Sequence, residues 1–221
     1  MSSREVKDYE AQAVELLPGV LELSQLAMQF AQVERGTADL NGEPESDTDH
    51  SVMLGFLAIA LADYDPRLDK GKVAQYALVH DFPEVIAGDV RTLHPDKVDF
   101  AAKQLAEADA IATLDQRLSP VFPGFVALIK QYEAQNDLES TFVWTLDKST
   151  PALTHLFNDC IAVLHEFDSA EQVRENSRRH TAQLESTYGA DHPLVIALRR
   201  LISAQFADEF DKRKRAKGLS A

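Results

Sequence analysis

The sequence predicts an all-α fold. Apolar residues recur at helical spacing along most of the 221 residues, and no stretch shows sustained strand alternation bounded by hairpin turns. Hydrophobic residues make up 45% of the chain and charged residues 26%, both ordinary for a folded globular protein, which excludes disorder for most of it. The length favours a single domain spanning residues 1–221.

The first half of the chain contains helices on either side of one polar stretch. Apolar residues at loosely helical spacing predict a helix that ends near Phe30, with a break or kink at Pro18-Gly19. Residues 35–48 contain two glycines and a proline without periodicity, so we expect a long loop there, and such loops usually serve a site. Helices are then predicted over residues 49–63, 69–81 and 83–87, the last ending at Gly88.

The second half of the chain is predicted to be a series of helices separated by breakers. An Ala-rich helix is expected over residues 95–118, followed by a Pro- and Gly-containing break at residues 119–124. Ser149-Thr150-Pro151 is typical of a helix start, because it places hydroxyl caps before a proline at the first turn. The remaining helices are expected over residues 125–135, 138–148, about 151–167, 169–188 and 192–213.

Charge and composition exclude several classes of function. Acidic residues outnumber basic ones 36 to 22, and the net charge of −14 repels phosphate backbones, so we expect no nucleic-acid partner. The longest apolar run, Val52–Ala62, is too short to cross a bilayer, and the N-terminus lacks an apolar signal segment. The single Cys160 excludes an internal disulfide and a cysteine-cluster metal site. We therefore expect a cytoplasmic protein with no membrane partner.

Two histidines and two acids stand out by their positions. His80-Asp81 closes a helix, and Pro83 biases the backbone away from helix there, so that both side chains can reach one cation. His50 follows the polar stretch, and Asp147 lies in an apolar segment where a carboxylate is costly unless it is paired or bound to metal. Each of these residues also has an ordinary alternative role. His80-Asp81 can be a polar pair at a helix end, His50 a residue of a first helical turn, and Asp147 the partner of Lys148 in a salt bridge.

This ordered set, His50, then His80-Asp81, then Asp147, resembles the H…HD…D signature of the HD-domain metal-dependent phosphohydrolases. Two segments extend the resemblance, Ala-Leu-Val-His-Asp-Phe-Pro-Glu-Val-Ile-Ala-Gly-Asp over residues 77–89 and Phe-Val-Trp-Thr-Leu-Asp-Lys over residues 142–148. The sequence is most similar to the compact bacterial HD-domain 5′-deoxynucleotidases. The resemblance implies an HD-domain helical bundle of about five core helices over about residues 20–167, with an N-terminal helix and a C-terminal helical extension over about residues 168–215.

The same resemblance implies a mononuclear metal-dependent hydrolase, commonly a homodimer, that releases phosphate from (deoxy)nucleoside 5′-monophosphates. It implies one divalent ion, which can be Mn, Co, Zn, Fe or Mg. Of the two acids that match those implicated in proton transfer, we expect Asp89 to act as the acid and Glu84 to orient water. Gly36 departs from the nucleotidases, which have a tryptophan implicated in sugar selection, so no sugar preference is carried over. The implied site comprises His50, His80, Asp81 and Asp147 as metal ligands, Glu84 and Asp89 as catalytic residues, and Arg35 as the contact to the substrate phosphate.

Two alternative functions stay open, and a third is disfavoured. A compact dNTP triphosphohydrolase needs extra basic residues facing the metal, and within residues 35–48 only Arg35 is basic. A non-catalytic nucleotide- or metal-binding module is the second alternative, although such a module has no need of a complete set of ligands and acids. A two-metal site is disfavoured, because His94 is the only histidine between Asp81 and Asp147. The basic run Lys212–Lys217 is interpreted as a solvated helix end.

Overall fold

The structure is a computed structural model that describes residues 3–93 and 98–218. Within these ranges it contains ten helices and one two-stranded antiparallel sheet, which confirms the all-α prediction. His94 lies outside the described residues. The elements are α1 (Ser3–Phe30), β1 (Glu34–Ala38), β2 (Pro44–Ser46), α2 (Asp47–Ala62), α3 (Lys70–Val79), α4 (Glu84–Ala87), α5 (Phe100–Leu118), α6 (Pro123–Ala134), α7 (Leu138–Asp147), α8 (Thr150–Phe157), α9 (Ala170–Tyr188) and α10 (Pro193–Ala216).

The polar stretch expected to be a loop is instead a small β-hairpin. β1 pairs with β2, and the turn between them is closed by the Asp39 carboxylate, which accepts hydrogen bonds from the backbone N–H groups of Asn41 and Glu43. Gly42 adopts a φ of 87° in this turn. The strands are too short to show alternation in the sequence, so the prediction of a loop was wrong here. The hairpin fixes the backbone that carries Arg35.

Several helices also differ from their predictions, and α5 begins at Phe100 where a start at residue 95 was expected. α1 runs unbroken through Pro18. Proline has no N–H to donate to the carbonyl oxygen of Val14, but Val14 is exposed, so water can donate to that oxygen instead. α8 ends at Phe157 rather than near residue 167, since Asp159 and Cys160 adopt positive φ angles of 60° and 58° that turn the chain out of helix.

The core lies beneath the site and includes a residue from the C-terminal helix. One buried cluster joins Leu54 of α2, Tyr76 of α3 and Phe142 of α7 to Val195 of α10. Burying these large side chains orients α2, α3 and α7, the helices that carry the histidines and Asp147. The C-terminal helix therefore contributes to the same packing as the segments of the H…HD…D signature.

The basic residues that end α10 are engaged within the fold. Lys214 donates to the carbonyl oxygen of Asp168 at 2.6 Å, and Arg213 pairs with Asp159 at 2.8 Å. The run ends α10 as expected, but these two side chains are bound to the fold and are not freely solvated. In residues 3–93 and 98–218, no helix combines the length and apolar character needed to span a bilayer.

Candidate metal centre

Two histidines meet where α2 begins and α3 ends. Ser46 caps α2 by accepting a hydrogen bond from the backbone N–H of Asp49, which places His50 on the inner face of the first turn. His80 directly follows α3, and its Nδ1 donates to the carbonyl oxygen of Ala77 at 3.0 Å. The ring centroids of the two histidines are 5.2 Å apart, and both side chains are buried.

Two carboxylates complete a compact group around the imidazoles. Asp147, the last residue of α7, lies 2.8 Å from His50 Nε2 through its Oδ1 atom, and Asp81 Oδ2 lies 2.8 Å from His80 Nε2. The crossed separations, from His50 to Asp81 and from His80 to Asp147, are each 3.8 Å. All four predicted ligands therefore converge, with the acids and imidazoles interleaved.

The donor set fits a divalent cation. His80 Nε2 is buried without a hydrogen-bond partner, because its close contact with Asp81 lacks hydrogen-bond geometry. Its Nδ1 is committed to a backbone carbonyl, the arrangement that leaves Nε2 free as a ligand and fixes the orientation of the ring. Two imidazoles and two carboxylates suit Mn²⁺, Fe²⁺, Co²⁺ and Zn²⁺.

The charge of the carboxylates holds the group together electrostatically. Burial by itself lowers the pKa of His80, but the neighbouring Asp81 and Asp147 raise it above its ordinary value. Burial likewise acts to raise the pKa of Asp147, yet Lys148, His50 and His80 hold it well below the usual range. Asp147 thus stays ionised, and a cation can replace the positive partners that now surround it.

Arg35 lies against this group from the hairpin side. Its Nη1 atom donates to Asp81 Oδ2 at 2.7 Å and to Asp47 Oδ1 at 2.8 Å. Burial opposes the charge of Arg35, but Asp81, Asp147 and Asp47 raise its pKa, so the guanidinium is always charged. Asp47 was missed in the sequence, although its i,i+3 spacing from His50 places both on one helix face.

Glu84 and Asp89 are the two acids matched to proton transfer, and both lie beside the ligand group. One carboxylate oxygen of Glu84 lies within 4.8 Å of carboxylate oxygens of Asp47 and Asp81. Burial and repulsion from Asp81, Asp47 and Asp89 raise the pKa of Glu84 to about 10. Burial also raises the pKa of Asp89, although Arg35 and a hydrogen bond from the backbone N–H of Gly36 oppose the shift.

Further charged residues near the site were not singled out as functional in the sequence. Lys148 donates to Asp147 Oδ2 at 2.7 Å, which is the salt bridge named as the alternative role of Asp147. Lys103 of α5 lies 3.7 Å from Glu84 Oε1 and also bonds Glu107. Burial, Glu107 and Asp81 raise the pKa of Glu133 to about 7. Spacing alone does not bring α5 and α6 to the site, so no sequence signal identified Lys103.

Metal addition is expected to stabilise the protein. Mn²⁺ or Co²⁺ at a hundredfold excess over its dissociation constant contributes about 2.7 kcal/mol, which raises the thermal midpoint of chelator-treated protein by about 5–10 °C. His80→Gln is expected to abolish this shift, whereas the exposed His165→Gln is expected to retain it. Thermal denaturation with and without metal measures both, and an equal shift in His80→Gln would contradict the assignment.

A solved structure shares this fold. The crystal structure titled a predicted metal-dependent phosphohydrolase from Magnetospirillum magnetotacticum MS-1 matches 92% of this chain and 96% of its own, with a TM-score of 0.66. The two sequences are 24% identical, so the likeness shows the fold. It extends beyond the core to the terminal helices.

Sequence comparisons identify the family. The 5′-deoxynucleotidase HDDC2 of Xenopus laevis is 34% identical over 157 residues, covering 71% of each chain, and its Mus musculus counterpart is 33% identical over 133 residues, 59% of this chain and 65% of its own. The chain spans 50% to 65% of the length of the deoxynucleotidases from Schizosaccharomyces pombe, Mus musculus, Homo sapiens and Bos taurus that it matches. A family model described as an HD domain matches residues 28–188. This chain therefore belongs to the HD-domain family.

Proposed function

We propose that this protein is a mononuclear metal-dependent phosphohydrolase that releases inorganic phosphate from (deoxy)nucleoside 5′-monophosphates. The observation that carries the proposal is the convergence of His50, His80, Asp81 and Asp147 beside a buried arginine and a carboxyl that keeps its proton. The relatives named 5′-deoxynucleotidases support the choice of substrate class.

Substrate binding is assigned to Arg35. Its planar guanidinium presents several N–H donors, and those not bonded to Asp47 and Asp81 can engage phosphate oxygens. The same bonds hold the side chain rigid, so little conformational entropy is lost on binding. A divalent ion bound by the two histidines and two aspartates would lower the pKa of a bound water and offset phosphate charge.

Proton transfer is assigned to Glu84 and Asp89. The leaving nucleoside 5′-oxygen is a poor leaving group as an alkoxide, so an acid must protonate it. The expectation that Asp89 is this acid and Glu84 orients water stays a prediction. The pKa of about 10 at Glu84 supports the opposite division, since Glu84 holds its proton more firmly at neutral pH.

A triphosphohydrolase is the second candidate, and one observation favours it. Within residues 35–48 the sequence offered a single basic residue, Arg35. The structure adds two cations near the site, Lys103 from α5 and Lys148 from the end of α7. However, both lysines are already paired with carboxylates, Lys103 with Glu107 and Lys148 with Asp147. The monophosphate therefore remains the favoured substrate.

We also propose a cytoplasmic homodimer in which the chain folds as one domain, with α9 and α10 as the extension of the core. Val52, Phe56 and Ile59 of α2 support the dimer, because they lie on one helix face and are exposed, Phe56 to 72%. Size-exclusion chromatography with light scattering tests it. Phe56→Glu is expected to give a monomer, and an unchanged mass would remove this face from the interface.

Product analysis tests the proposed function. Protein loaded with Mn²⁺ or Co²⁺ is incubated with a panel of NMPs, dNMPs and dNTPs, and phosphate and triphosphate are quantified separately. We expect phosphate from monophosphates alone, and the dNMP-to-NMP ratio measures the effect of having no side chain at Gly36. Triphosphate from a dNTP would support the second candidate. Binding of nucleotide without product, unchanged in Asp89→Asn, would support a binding module.

A further inference from the structure

A buried arginine of the C-terminal helix lies directly behind one of the metal ligands. Arg199 of α10 is 7% exposed. Its Nη1 atom donates to the carbonyl oxygen of Lys148, and its Nε atom donates to Thr181 Oγ1 of α9 at 3.1 Å. One guanidinium thus joins α9 and α10 to the residue that immediately follows Asp147.

The contact falls at the end of α7, where backbone carbonyls lack helical partners. Lys148 is the C-terminal cap of this helix, and a cation there complements both the free carbonyl and the negative end of the helix dipole. The neighbouring carbonyl of Asp147 accepts a hydrogen bond from Thr150 Oγ1 at 2.6 Å. Two buried donors therefore fix the backbone on which the Asp147 carboxylate is mounted.

The arginine is costly where it lies. Burial lowers the pKa of Arg199 to about 10, a shift that Asp147 partly opposes. Ordinary capping does not require a buried guanidinium, since water or a hydroxyl group satisfies most helix ends. The feature that distinguishes Arg199 from an ordinary cap is that it binds the residue next to Asp147, a proposed metal ligand.

We propose that Arg199 is a positioning residue for the metal centre, which it serves by holding the end of α7 so that Asp147 meets His50 and His80. The inference rests on the proposed function, and extends it by making α9 and α10 part of the catalytic unit. Groups that orient ligands from behind commonly change metal affinity by 10-fold to 100-fold when they are removed. Because Arg199 acts through the backbone, we expect the lower end of this range.

The test is metal binding measured by calorimetry with Mn²⁺ or Co²⁺ on folded protein. Arg199→Met is expected to raise the metal dissociation constant by about tenfold. Arg199→Lys is expected to raise it by less, because an ammonium can reach the carbonyl oxygen of Lys148 but cannot also bind Thr181 as the planar guanidinium does. Turnover of Arg199→Met is expected to recover as metal concentration is raised, which a loss of folded protein alone would not produce.

Two control variants separate positioning from stability. Arg200→Gln changes the adjacent residue, which is 54% exposed and pairs with Glu185, and is expected to leave metal affinity unchanged. Phe210→Leu disturbs the packing of α10 at a fully buried position outside the site. It is expected to lower the thermal midpoint without changing metal affinity.

The outcomes are distinguishable. Metal affinity equal to wild type in folded Arg199→Met would overturn the inference and leave the proposed function standing. Should Arg199→Met fail to fold, Arg199→Lys decides in the same way. Wild-type protein that binds no divalent metal would overturn both the inference and the proposed function.

Discussion

Glu84→Gln is expected to remove most of the catalytic activity while making the metal-free protein more stable. Loss of a general acid or water-orienting carboxyl lowers kcat by about 100-fold to 10,000-fold. The stability gain follows from the pKa of Glu84, which is about 10 in the fold against an ordinary value of 4.5. Between these values the folded state holds a proton that the unfolded chain releases, so the free energy of unfolding falls as pH rises.

The size of this effect can be estimated at neutral pH. A glutamine avoids the penalty and is expected to raise the free energy of unfolding by about 3 kcal/mol at pH 7, or roughly 5–10 °C in thermal midpoint. The gain is expected to be near zero at pH 4 and to grow towards pH 9. Thermal denaturation of chelator-treated wild type and variant across this range measures it.

A surface variant provides the comparison for Glu84→Gln. Glu175 of α9 is 72% exposed and pairs with Arg178, so Glu175→Gln is expected to change neither kcat nor the pH dependence of stability. If Glu84→Gln were less stable than wild type at pH 8, that result would contradict the claim that Glu84 is protonated in the folded protein. The pH–rate profile of Asp89→Asn then separates the two divisions of labour, because loss of the acid removes the high-pH limb.

Arg35→Met is expected to reduce kcat/KM by about 100-fold or more while preserving metal binding. Two charge-assisted hydrogen bonds to a phosphate contribute about 3 kcal/mol together. The variant also leaves Asp47 and Asp81 without their shared cation, which is expected to destabilise metal-free protein by about 3 kcal/mol. Bound metal offsets that charge, so the metal-induced rise in thermal midpoint is expected to exceed that of wild type.

Two further arginine variants define the cause of the Arg35→Met effects. Arg35→Lys keeps the charge but loses the planar fork, and is expected to restore stability more than turnover. Arg67→Met removes an arginine that is 53% exposed and pairs with Asp65, and is expected to leave both unchanged. Activity of Arg35→Met within about twofold of wild type would show that the phosphate is bound elsewhere.

The candidate ligands could be named from the sequence because their order resembles the H…HD…D signature, and local signals at two places support that resemblance. Pro83 disfavours helix in the residue before it, which predicts a helix end near His80-Asp81. Asp147 lies in an apolar segment, where a carboxylate is costly unless it has a partner. Such signals specify residue types and spacing, and the structure brings His50 to within 2.8 Å of Asp147 across almost a hundred positions of sequence.

What the sequence could not predict depends on contacts between distant segments. Arg35 was expected on a loop, whereas hydrogen bonds within the turn and pairing of strands too short to show periodicity make a hairpin. The pairing of Asp47 with Arg35, the approach of Lys103 and the burial of Arg199 all depend on how separate elements pack together. No spacing rule contains that information, since each partner is ordinary in its own segment.

The most direct test of the account is the position of bound metal in a crystal soaked with Co²⁺ or Mn²⁺, located by anomalous scattering. The account predicts one peak, held by the side chains of His50 and His80 and by the carboxylates of Asp81 and Asp147. A peak held instead by Asp47 and Glu84, with the histidines left unligated, would contradict it.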